Sequence, residues 1–341
     1  MGIAIRELVV GKEITLKSLS KKIICMDMSL LLYQFLTTIR QSDGSYFTDR
    51  DGKVTSHLIG LSSRIPKLIQ EGLHLVCVFD GKAPELKTKE LQRRSKTKED
   101  AQHKFSEAEA QHDIASMKKY AGRTTRLTSE IIEETKEFIA ACGLPIIQAP
   151  SEAEVQASHM VIKGDAYAVA TQDADALMAQ CPRVIRNLSL VGKRKISSKL
   201  DYQTYEPELI ELTEVLNGLG LDHEQFVLVC ILIGTDFNPG GVKGIGPKNA
   251  LKLVKEHKTK EQLFNALRDR LEFDFEQVYT TIKSIPVTDD YQLEWKGIDF
   301  ARLKTLLIET HDFSEERVQK MLDQLKDYAE SQKQTSLNSF W

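Results

Sequence analysis

The sequence lacks any apolar run long enough to cross a bilayer. Its longest is Phe226–Ile233, whereas a transmembrane helix needs about 20 apolar residues. No signal-peptide pattern precedes the first predicted strand, and Arg6 stands where a myristoylation motif requires Ser or Thr. We therefore expect a soluble globular protein with no membrane partner and no lipid anchor.

Cysteine is scarce and scattered. The residues are Cys25, Cys77, Cys142, Cys181 and Cys230, an odd number set mostly in apolar runs. Neither among themselves nor with the histidines do they show the spacing of a zinc site. This usage is typical of small buried hydrophobic residues in a reducing compartment. We expect a cytoplasmic protein.

Net charge is also small, at −3, which argues weakly against a nucleic-acid partner because phosphate binders are often basic overall. The charge is nevertheless segregated. Basic residues are concentrated in the stretch 82–126, which contains Lys87, Lys89, Arg93, Arg94, Lys96, Lys98, Lys104, Lys118, Lys119, Arg123 and Arg126. Because this stretch is poor in apolar residues, we expect helices that do not pack fully on the core. A solvated surface helix pair is the alternative.

What the sequence has is a series of short apolar runs without polar alternation, a pattern typical of strands buried on both faces of a sheet. Between the first two runs, apolar residues over 30–39 and 56–70 recur at helical spacing, which predicts two helices there and hence a βαβ unit. The 341 residues suit one large domain or two smaller ones. We predict an α/β fold with a central, mostly parallel sheet flanked by helices.

Acidic side chains follow five of these runs, the fifth being Val229–Ile233, which we interpret as a strand. The acidic residues are Asp27, Asp80, Glu152, Glu154, Asp173, Asp175 and Asp236. In open α/β sheets ligands bind beyond the carboxyl ends of the strands, so one sheet edge would collect all seven. Like charges gathered so closely cannot all stay ionised without cations, and the pattern predicts a divalent metal site.

Each of these acidic residues, taken singly, has an ordinary structural explanation. Ser151 and Glu154 have the Ser-x-x-Glu spacing of a helix capping box. An aspartate after a strand often caps the next helix, and Asp80-Gly81 is a common turn pair. Capping leaves Glu152 unexplained, however, and it is compatible with metal binding. The recurrence at five strand ends favours the metal site.

Two further segments carry recognition chemistry. The glycine-rich run 240–250 contains Gly244, Gly246, Pro247 and Lys248 in the order of a helix-hairpin-helix, in which exposed amides at a helix start hold a phosphate. A glycine-rich connection is the alternative. The end of the chain is polar, yet Leu337, Phe340 and Trp341 are spaced as anchors for a groove. We expect a flexible docking tail rather than a chance aromatic end.

Six motifs together resemble the flap endonuclease family of structure-specific 5′ nucleases, and in order and spacing they cover nearly the whole chain. The motifs are Met26-Asp27-Met28-Ser29, Val78-Phe79-Asp80-Gly81-Lys82, Ala149-Pro150-Ser151-Glu152-Ala153-Glu154, Ala170-Thr171-Gln172-Asp173-Ala174-Asp175, Gly234-Thr235-Asp236 and Gly244-Ile245-Gly246-Pro247-Lys248. The compact length is similar to the archaeal branch. Gln172 departs from the pattern, since many relatives carry Glu there, and the tail ends in Phe-Trp rather than in two phenylalanines.

This resemblance implies two Mg²⁺ ions over the carboxyl edge of the sheet, for which Mn²⁺ can substitute. One ion site would use Asp27, Asp80, Glu152 and Glu154, and the other Asp173, Asp175 and Asp236. The family pattern also makes Lys87 and Arg94 the basic pair directed at the scissile phosphate, so the implied catalytic residues are Lys87, Arg94 and Asp173.

The resemblance also implies contacts with branched DNA that carries a 5′ flap. Nine residues match the family's DNA-binding positions: Tyr33, Arg40, Arg64, Glu152, Gly234, Asp236, Gly244, Gly246 and Lys248. Tyr33 would stack on a terminal base, and the hairpin would hold K⁺ on its carbonyls. The tail residues Gln334, Leu337, Phe340 and Trp341 match the peptide that binds a sliding clamp. We expect a monomer.

The implied organisation is a nuclease region over 1–98, a charged helical arch over 99–126, a second nuclease region with the hairpin over 127–258, a helical part over 259–330 and the tail over 331–341. The implied activity is a 5′ flap endonuclease with 5′–3′ exonuclease activity, acting in DNA replication, including Okazaki fragment maturation, and in repair. The alternatives are a non-catalytic clamp-tethered DNA-binding scaffold and a related nuclease, directed at RNA or a processive 5′ exonuclease.

Overall fold

The structure is a computed structural model that describes residues 5, 7–190, 192–195 and 202–338. In this part of the chain the strands are β1 (Lys12–Glu13), β2 (Ile23–Asp27), β3 (His74–Phe79), β4 (Ile146–Gln148), β5 (Ala168–Ala170), β6 (Arg183–Arg186), β7 (Gly192–Lys195), β8 (Tyr202–Tyr205) and β9 (Glu208–Glu211).

The helices of the described residues alternate with these strands and then continue alone. They are α1 (Met28–Thr38), α2 (Ser56–Gln70), α3 (Thr88–Ala110), α4 (Ile114–Ala121), α5 (Ser129–Ala141), α6 (Ala153–Lys163), α7 (Asp175–Met178), α8 (Leu212–Leu219), α9 (His223–Ile233), α10 (Pro247–His257), α11 (Lys260–Leu267), α12 (Phe275–Lys283), α13 (Phe300–Lys304) and α14 (Glu315–Asn338).

The central sheet has the strand order β1-β9-β6-β5-β2-β3-β4. The five strands from β6 to β4 pair in parallel, and β9 and β1 join the β6 edge antiparallel. Along the chain, β2, β3 and β4 are added one after another toward one edge of the sheet. Helix α6 then leads back to β5, which pairs with β2 on its other side. This reversal creates a switch point between β2 and β5, where open α/β sheets bind their ligands. The predicted fold class is confirmed.

Two hydrophobic cores cover the two faces of the sheet. Successive strand residues alternate between them: Cys25 packs in one core, while Ile24 and Met26 pack in the other. Helices α6 and α9 lie over the first face, and α1, α2 and α14 lie over the second. Burial on both faces explains why the strands read as continuous apolar runs.

One predicted strand is wrong. The run Val229–Ile233 belongs to α9, a helix whose residues Phe226–Leu232 are all buried. A helix buried on all sides shows no polar periodicity, so its sequence resembles that of a buried strand. Asp222 and Gln225 form a capping box at its start, with the backbone amide of Gln225 donating to Oδ1 of Asp222 at 2.8 Å.

The charged stretch is helical, as predicted, and consists mainly of α3 and α4. These helices bury a small cluster of their own, formed by Phe105, Ala108, Met117 and Ala121. Most other α3 side chains are exposed. The start of α3 lies at the carboxyl edge of the sheet, where Arg94 bonds Asp236, and the end of α4 lies against the loop at Gly44.

Between α12 and α13 the chain has no regular helix or strand, and it forms hydrogen bonds with β3 and with the segment after α5. The indole of Trp295 donates to the Leu75 carbonyl at 3.1 Å, and the Lys296 amide donates to the Gly143 carbonyl at 2.8 Å. Helix α14 then packs on α2. It continues to Asn338, so residues 331–338 are helical where the sequence predicts a flexible tail, and residues 339–341 lie outside the described part. The domain boundaries stay predictions.

Among the described residues no single helix is long and apolar enough to span a membrane. The consecutive helices α8 and α9 reach that length and composition only as a pair bent by 79°.

Candidate active site

Asp27 and Asp80 stand side by side because β2 and β3 are parallel neighbours in register. Asp27 is the last residue of β2 and pairs with Val78, two residues before Asp80. Its Oδ1 accepts the Leu30 amide at 3.0 Å, so Asp27 also caps α1. The same side chain therefore starts a helix and faces the edge of the sheet.

Glu152 and Glu154 reach this edge through the first turn of α6. The Ala153 amide donates to Asp80 Oδ1 at 2.7 Å. One ligand oxygen from each of Asp80, Glu152 and Glu154 lies within 4.8 Å of the other two. The predicted Ser151–Glu154 capping box is wrong, because Ser151 Oγ has no hydrogen-bond partner among the described residues and Asp80 occupies the capping role.

Asp173 and Asp175 enter from the end of β5, across the switch point from Asp27. Thr171 joins the two sides: its hydroxyl accepts the Asp173 amide at 3.2 Å and lies 3.5 Å from Asp27 Oδ2. Oδ1 of Asp173 and Oδ1 of Asp175 are buried with no hydrogen-bond partner among the described residues. Buried polar atoms are usually paired, so these two oxygens are suited to bind a cation.

Asp236 comes from the turn that follows α9. Asn238 holds this turn, because its Oδ1 accepts both the Thr235 amide at 3.0 Å and the Thr235 hydroxyl at 2.7 Å, while its Nδ2 donates to the Ile231 carbonyl at 2.8 Å. Asn238 is buried. The turn presents Asp236 at the edge although no strand leads to it.

Two cations from the start of the charged stretch complete the site. Lys87 Nζ bonds Glu152 and lies 3.2 Å from Asp236 Oδ2, and Arg94 Nη2 bonds Asp236 Oδ1. Burial acts to lower the pKa of Lys87, but the hydrogen bond and charge of Glu152 outweigh it, so this pKa is raised. Burial also acts to lower the pKa of Arg94, but the charge of Asp236 and the hydrogen bond to Glu90 outweigh it, so both side chains stay positively charged.

Burial is the main reason that the carboxyl groups of Asp27, Glu154 and Asp175 have raised pKa values. Burial and the charge of Asp80 raise the pKa of Asp27 to about 7. Burial raises the pKa of Glu154 well above its ordinary value, with help from the charge of Asp27, and it does the same for Asp175. Carboxylates gathered this closely repel one another unless positive charge lies among them.

The residues fit divalent cations of the hard class. Every candidate ligand is a carboxylate oxygen, the donor that Mg²⁺ and Mn²⁺ prefer, and no described cysteine or histidine joins the cluster. The unpartnered oxygens of Asp173 and Asp175 are the direct observation that supports this fit.

Comparison with known proteins places the chain in a family. The model of the XPG N-terminal domain matches residues 3–101, and that of the XPG I-region matches residues 143–236. Flap endonuclease 1 of Pyrococcus abyssi is 45% identical over 341 residues, which are 100% of this chain and 98% of the relative. The chain belongs to the flap endonuclease 1 family. The corresponding enzyme of Hyperthermus butylicus is also 45% identical, over 96% of this chain and 94% of its own length.

A solved structure of a flap endonuclease agrees with this assignment. The flap endonuclease-1 of Methanococcus jannaschii superimposes with a TM-score of 0.76 at 36% identity, covering 97% of this chain and 100% of its own. The predicted family resemblance is confirmed. Family nucleases depend on divalent metal, and the acidic cluster of this flap endonuclease is consistent with that dependence.

The structure brings all seven predicted carboxylates of this flap endonuclease together with Lys87 and Arg94. The predicted flap contacts lie farther out. Tyr33 on α1 accepts a hydrogen bond from Lys98 of α3 at 2.6 Å, which joins it to the charged helix. Arg64 is half-buried on α2.

Arg40 makes several contacts within the chain. Its donors go to the Leu36 carbonyl, the Gly44 carbonyl and the Thr125 hydroxyl at 2.9–3.0 Å, and its guanidinium stacks on Tyr46 at 3.9 Å. In this flap endonuclease Arg40 therefore joins α1 to the segment after α4. Its role in DNA binding stays a prediction.

The predicted helix-hairpin-helix consists of α9, the glycine-rich turn and α10. Pro247 opens α10 as its first residue. Gly234 and Gly241 pack backbone to backbone, since a Cβ on Gly234 would lie 2.6 Å from the Gly241 amide. Gly244, Gly246 and Lys248 are exposed on the hairpin.

Positions 334 and 337 of the predicted clamp peptide fall in the backbone of α14, whereas Phe340 and Trp341 lie outside the described residues.

Sequence reasoning missed three residues that support the site. Thr171 and Asn238 act through contacts between segments that local patterns do not reveal. The third, Glu90, is buried on α3 and accepts hydrogen bonds from Arg93 and Arg94. Its three- and four-residue spacing to two arginines is a recognisable helical signal.

Proposed function

We propose that the protein is a structure-specific 5′ flap endonuclease that hydrolyses a phosphodiester near the junction of a 5′ flap with duplex DNA, with 5′–3′ exonuclease activity at the same site. The observation that carries this proposal is the convergence of seven carboxylates beneath the basic pair of the charged stretch. Such a site suits phosphoryl chemistry, in which positioning and electrostatics do most of the work.

The carboxylates would hold two Mg²⁺ ions, with Mn²⁺ as a substitute. Asp27, Asp80, Glu152 and Glu154 would hold one ion and Asp173, Asp175 and Asp236 the other. When bound, such a pair supplies an activated water nucleophile and neutralises the leaving oxygen. The contacts of Asp80 with Ala153 and of Thr171 with Asp173 keep the carboxylates in place before substrate arrives.

Lys87 and Arg94 would bind the scissile phosphate. Both side chains are largely shielded from solvent, at 12% and 25% exposure. A cation in such a place is held where negative charge develops in the transition state, and the low local dielectric strengthens its effect. The carboxylates of Glu152 and Asp236 orient the two cations.

The remaining predicted contacts would guide the DNA. The flap would pass by α3 and α4, with Tyr33 stacking on a terminal base, which offsets part of the cost of unpairing the duplex end. The hairpin amides and Lys248 would bind the duplex backbone, with K⁺ on the hairpin carbonyls. Such contacts read DNA shape rather than sequence. Arg40 and Arg64 would add backbone contacts.

The protein would act as a monomer in the cytoplasm, in DNA replication and repair, tethered to a sliding clamp by Gln334, Leu337, Phe340 and Trp341. The spacing of these residues supports the clamp proposal. A non-catalytic scaffold would keep the hairpin and tail without needing seven carboxylates.

The deciding experiment incubates labelled 5′-flap, 3′-flap and nicked duplexes with the protein and Mg²⁺, with a parallel series in chelator. We expect cleavage of the 5′ flap in Mg²⁺ alone. Binding of all three DNAs without cleavage would support the scaffold and reject the nuclease. Equal cleavage of nicked and flapped duplexes, releasing mononucleotides, would favour a processive exonuclease.

A further inference from the structure

Glu90 is a buried carboxylate on an otherwise exposed helix. It lies on α3 between the two basic residues of the site, Lys87 and Arg94, and is only 3% exposed. Burial of a charge is costly unless the charge is paired. Its pairing therefore identifies what the residue does.

Two arginines pair with Glu90. Arg93 donates from Nε and Nη2 at 2.7 and 2.8 Å, and Arg94 donates from Nε at 2.7 Å. The hydrogen bonds from Arg93, together with those and the charge of Arg94, lower the pKa of Glu90, although burial acts to raise it. Glu90 therefore remains a carboxylate.

The two arginines differ in what else they reach. Arg93 is 59% exposed in its side chain, and its described partners are limited to Glu90. Arg94 is 25% exposed and extends its Nη2 to Asp236. One guanidinium is thus held at both ends, by Glu90 on its own helix and by Asp236 at the edge of the sheet.

We propose that Glu90 is a positioning residue that presents the Arg94 guanidinium to the scissile phosphate. This inference rests on the proposed function. An arginine side chain has many rotamers, and a carboxylate four residues earlier on the helix, by holding Nε, selects the one in which the Nη end of the guanidinium faces the site. Arg93 balances the second half of the Glu90 charge, so that Arg94 keeps its positive charge available for substrate.

The test is a double-mutant cycle between Glu90→Gln and Arg94→Ala, measured as the single-turnover cleavage rate of a 5′ flap at saturating enzyme and Mg²⁺. We expect E90Q to slow cleavage by about 10-fold and R94A by about 100-fold or more. In the R94A background E90Q should change the rate by less than about 2-fold, because its target is gone. The Kd for flap DNA should stay within about 2-fold of wild type, because Glu90 acts on the chemical step.

The matched control is Glu99→Gln, the same chemical change on the same helix. Glu99 is 62% exposed and lies 3.7 Å from Arg126, away from Arg94. A wild-type rate in E99Q, together with thermal unfolding of E90Q close to wild type, separates positioning from a general effect on α3. If E90Q does not fold, Arg94→Lys replaces it, since lysine keeps the charge but lacks the fork that bonds two carboxylates. We expect R94K to be about 10-fold slow.

A full rate in E90Q, or in R94K where it replaces E90Q, overturns the proposal, as does an E90Q effect of equal size with and without Arg94. These results differ from failure of the proposed function. A wild-type protein that does not cleave the 5′ flap in Mg²⁺ rejects the nuclease itself. A wild-type protein that cleaves while R94A is equally fast rejects only the role of Arg94 and of Glu90 behind it.

Discussion

The backbone amide of Ala153 donates a hydrogen bond to Oδ1 of Asp80 at 2.7 Å. Asp80 follows β3 and Ala153 begins α6, so one metal-ligand candidate fixes the helix that carries two others. The segments that follow β3 and β4 approach each other closely, since a Cβ on Gly81 would lie 2.1 Å from the Ala149 carbonyl oxygen. The spacing of Asp80, Glu152 and Glu154 is therefore set by the backbone.

Replacing Asp80 or Asp173 with alanine should abolish cleavage while leaving flap DNA binding largely intact. Each change removes a carboxylate from the acidic cluster, and we expect the cleavage rate to fall by at least about 10²-fold, as when a preorganised electrostatic group is lost. Gel cleavage and fluorescence anisotropy measure the two quantities. Asp290→Ala, an exposed aspartate elsewhere, should cleave normally. Full activity in D80A or D173A would remove the acidic cluster from catalysis.

Divalent metal should stabilise the folded protein, because cations relieve the repulsion between buried carboxylates. Mg²⁺ or Mn²⁺ should raise the Tm by roughly a few degrees over chelator, whereas Na⁺ at equal ionic strength should not. Asp175→Asn should raise the Tm in chelator and reduce the increase caused by Mg²⁺, since function and stability conflict at this position. Differential scanning calorimetry measures both effects. An identical Mg²⁺ effect in D175N would argue against Asp175 as a ligand.

Deletion of residues 334–341 should separate catalysis from recruitment. These residues lie at the far end of α14 or beyond the described part, so cleavage of free flap DNA should be unchanged. Stimulation by the sliding clamp should disappear, because the apolar anchors Leu337, Phe340 and Trp341 are gone. A pulldown with the clamp is the measurement, and a truncated chain that still binds it would exclude the tail as the docking peptide.

Asp49 should make folding stability depend on pH in the acid range. Its side chain is fully buried, and Nδ1 of His311 lies 2.9 Å from its Oδ2. Burial acts to raise the pKa of Asp49, but hydrogen bonds from His311, Lys53 and Asp51 outweigh it, and the pKa is lowered. A lowered carboxyl pKa contributes stability above the unfolded value of about 4, and this contribution is lost as the pH falls through the folded pKa.

Asp49→Asn should therefore reduce the free energy of unfolding by roughly 2 kcal/mol at pH 7. The difference from wild type should shrink toward pH 3. Urea denaturation at both pH values measures it, and Asp51→Asn on the same turn, where the side chain is exposed, serves as control. A difference that is equal at both pH values would show that the charge of Asp49 is not involved.

Gly143→Ala should loosen the C-terminal segment from the body. Gly143 has φ +72°, and an added Cβ would lie 2.2 Å from the Lys296 carbonyl oxygen. We expect a loss of roughly 2 kcal/mol in the free energy of unfolding. Gly218→Ala is the matched control, because it lies in α8 with nothing within 4 Å of the new Cβ, and there we expect a gain of about 0.5–1 kcal/mol. Equal effects of the two changes would contradict the close approach.

Local pattern was sufficient where one physical signal dominates. The bounds of α2 agree with the predicted 56–70, because its apolar residues recur at helical spacing and Gly72 ends it. The buried parallel strands agree as well, since burial on both faces removes polar alternation. The run Val229–Ile233 failed for the same reason: full burial also removes helical periodicity, and only the Asp222–Gln225 capping box marks the helix.

The chain alone determined the chemical inventory of the site, because residue type and position relative to a strand end are local properties. Only the tertiary structure decided how that inventory is arranged. Asp80 rather than Ser151 caps α6, Asp236 arrives from a helix through Asn238, and Arg40 binds the chain's own carbonyls. Each of these outcomes depends on which distant backbone groups meet, and a hydrogen bond forms with the partner that packing brings within 3 Å or so, whatever local spacing favours.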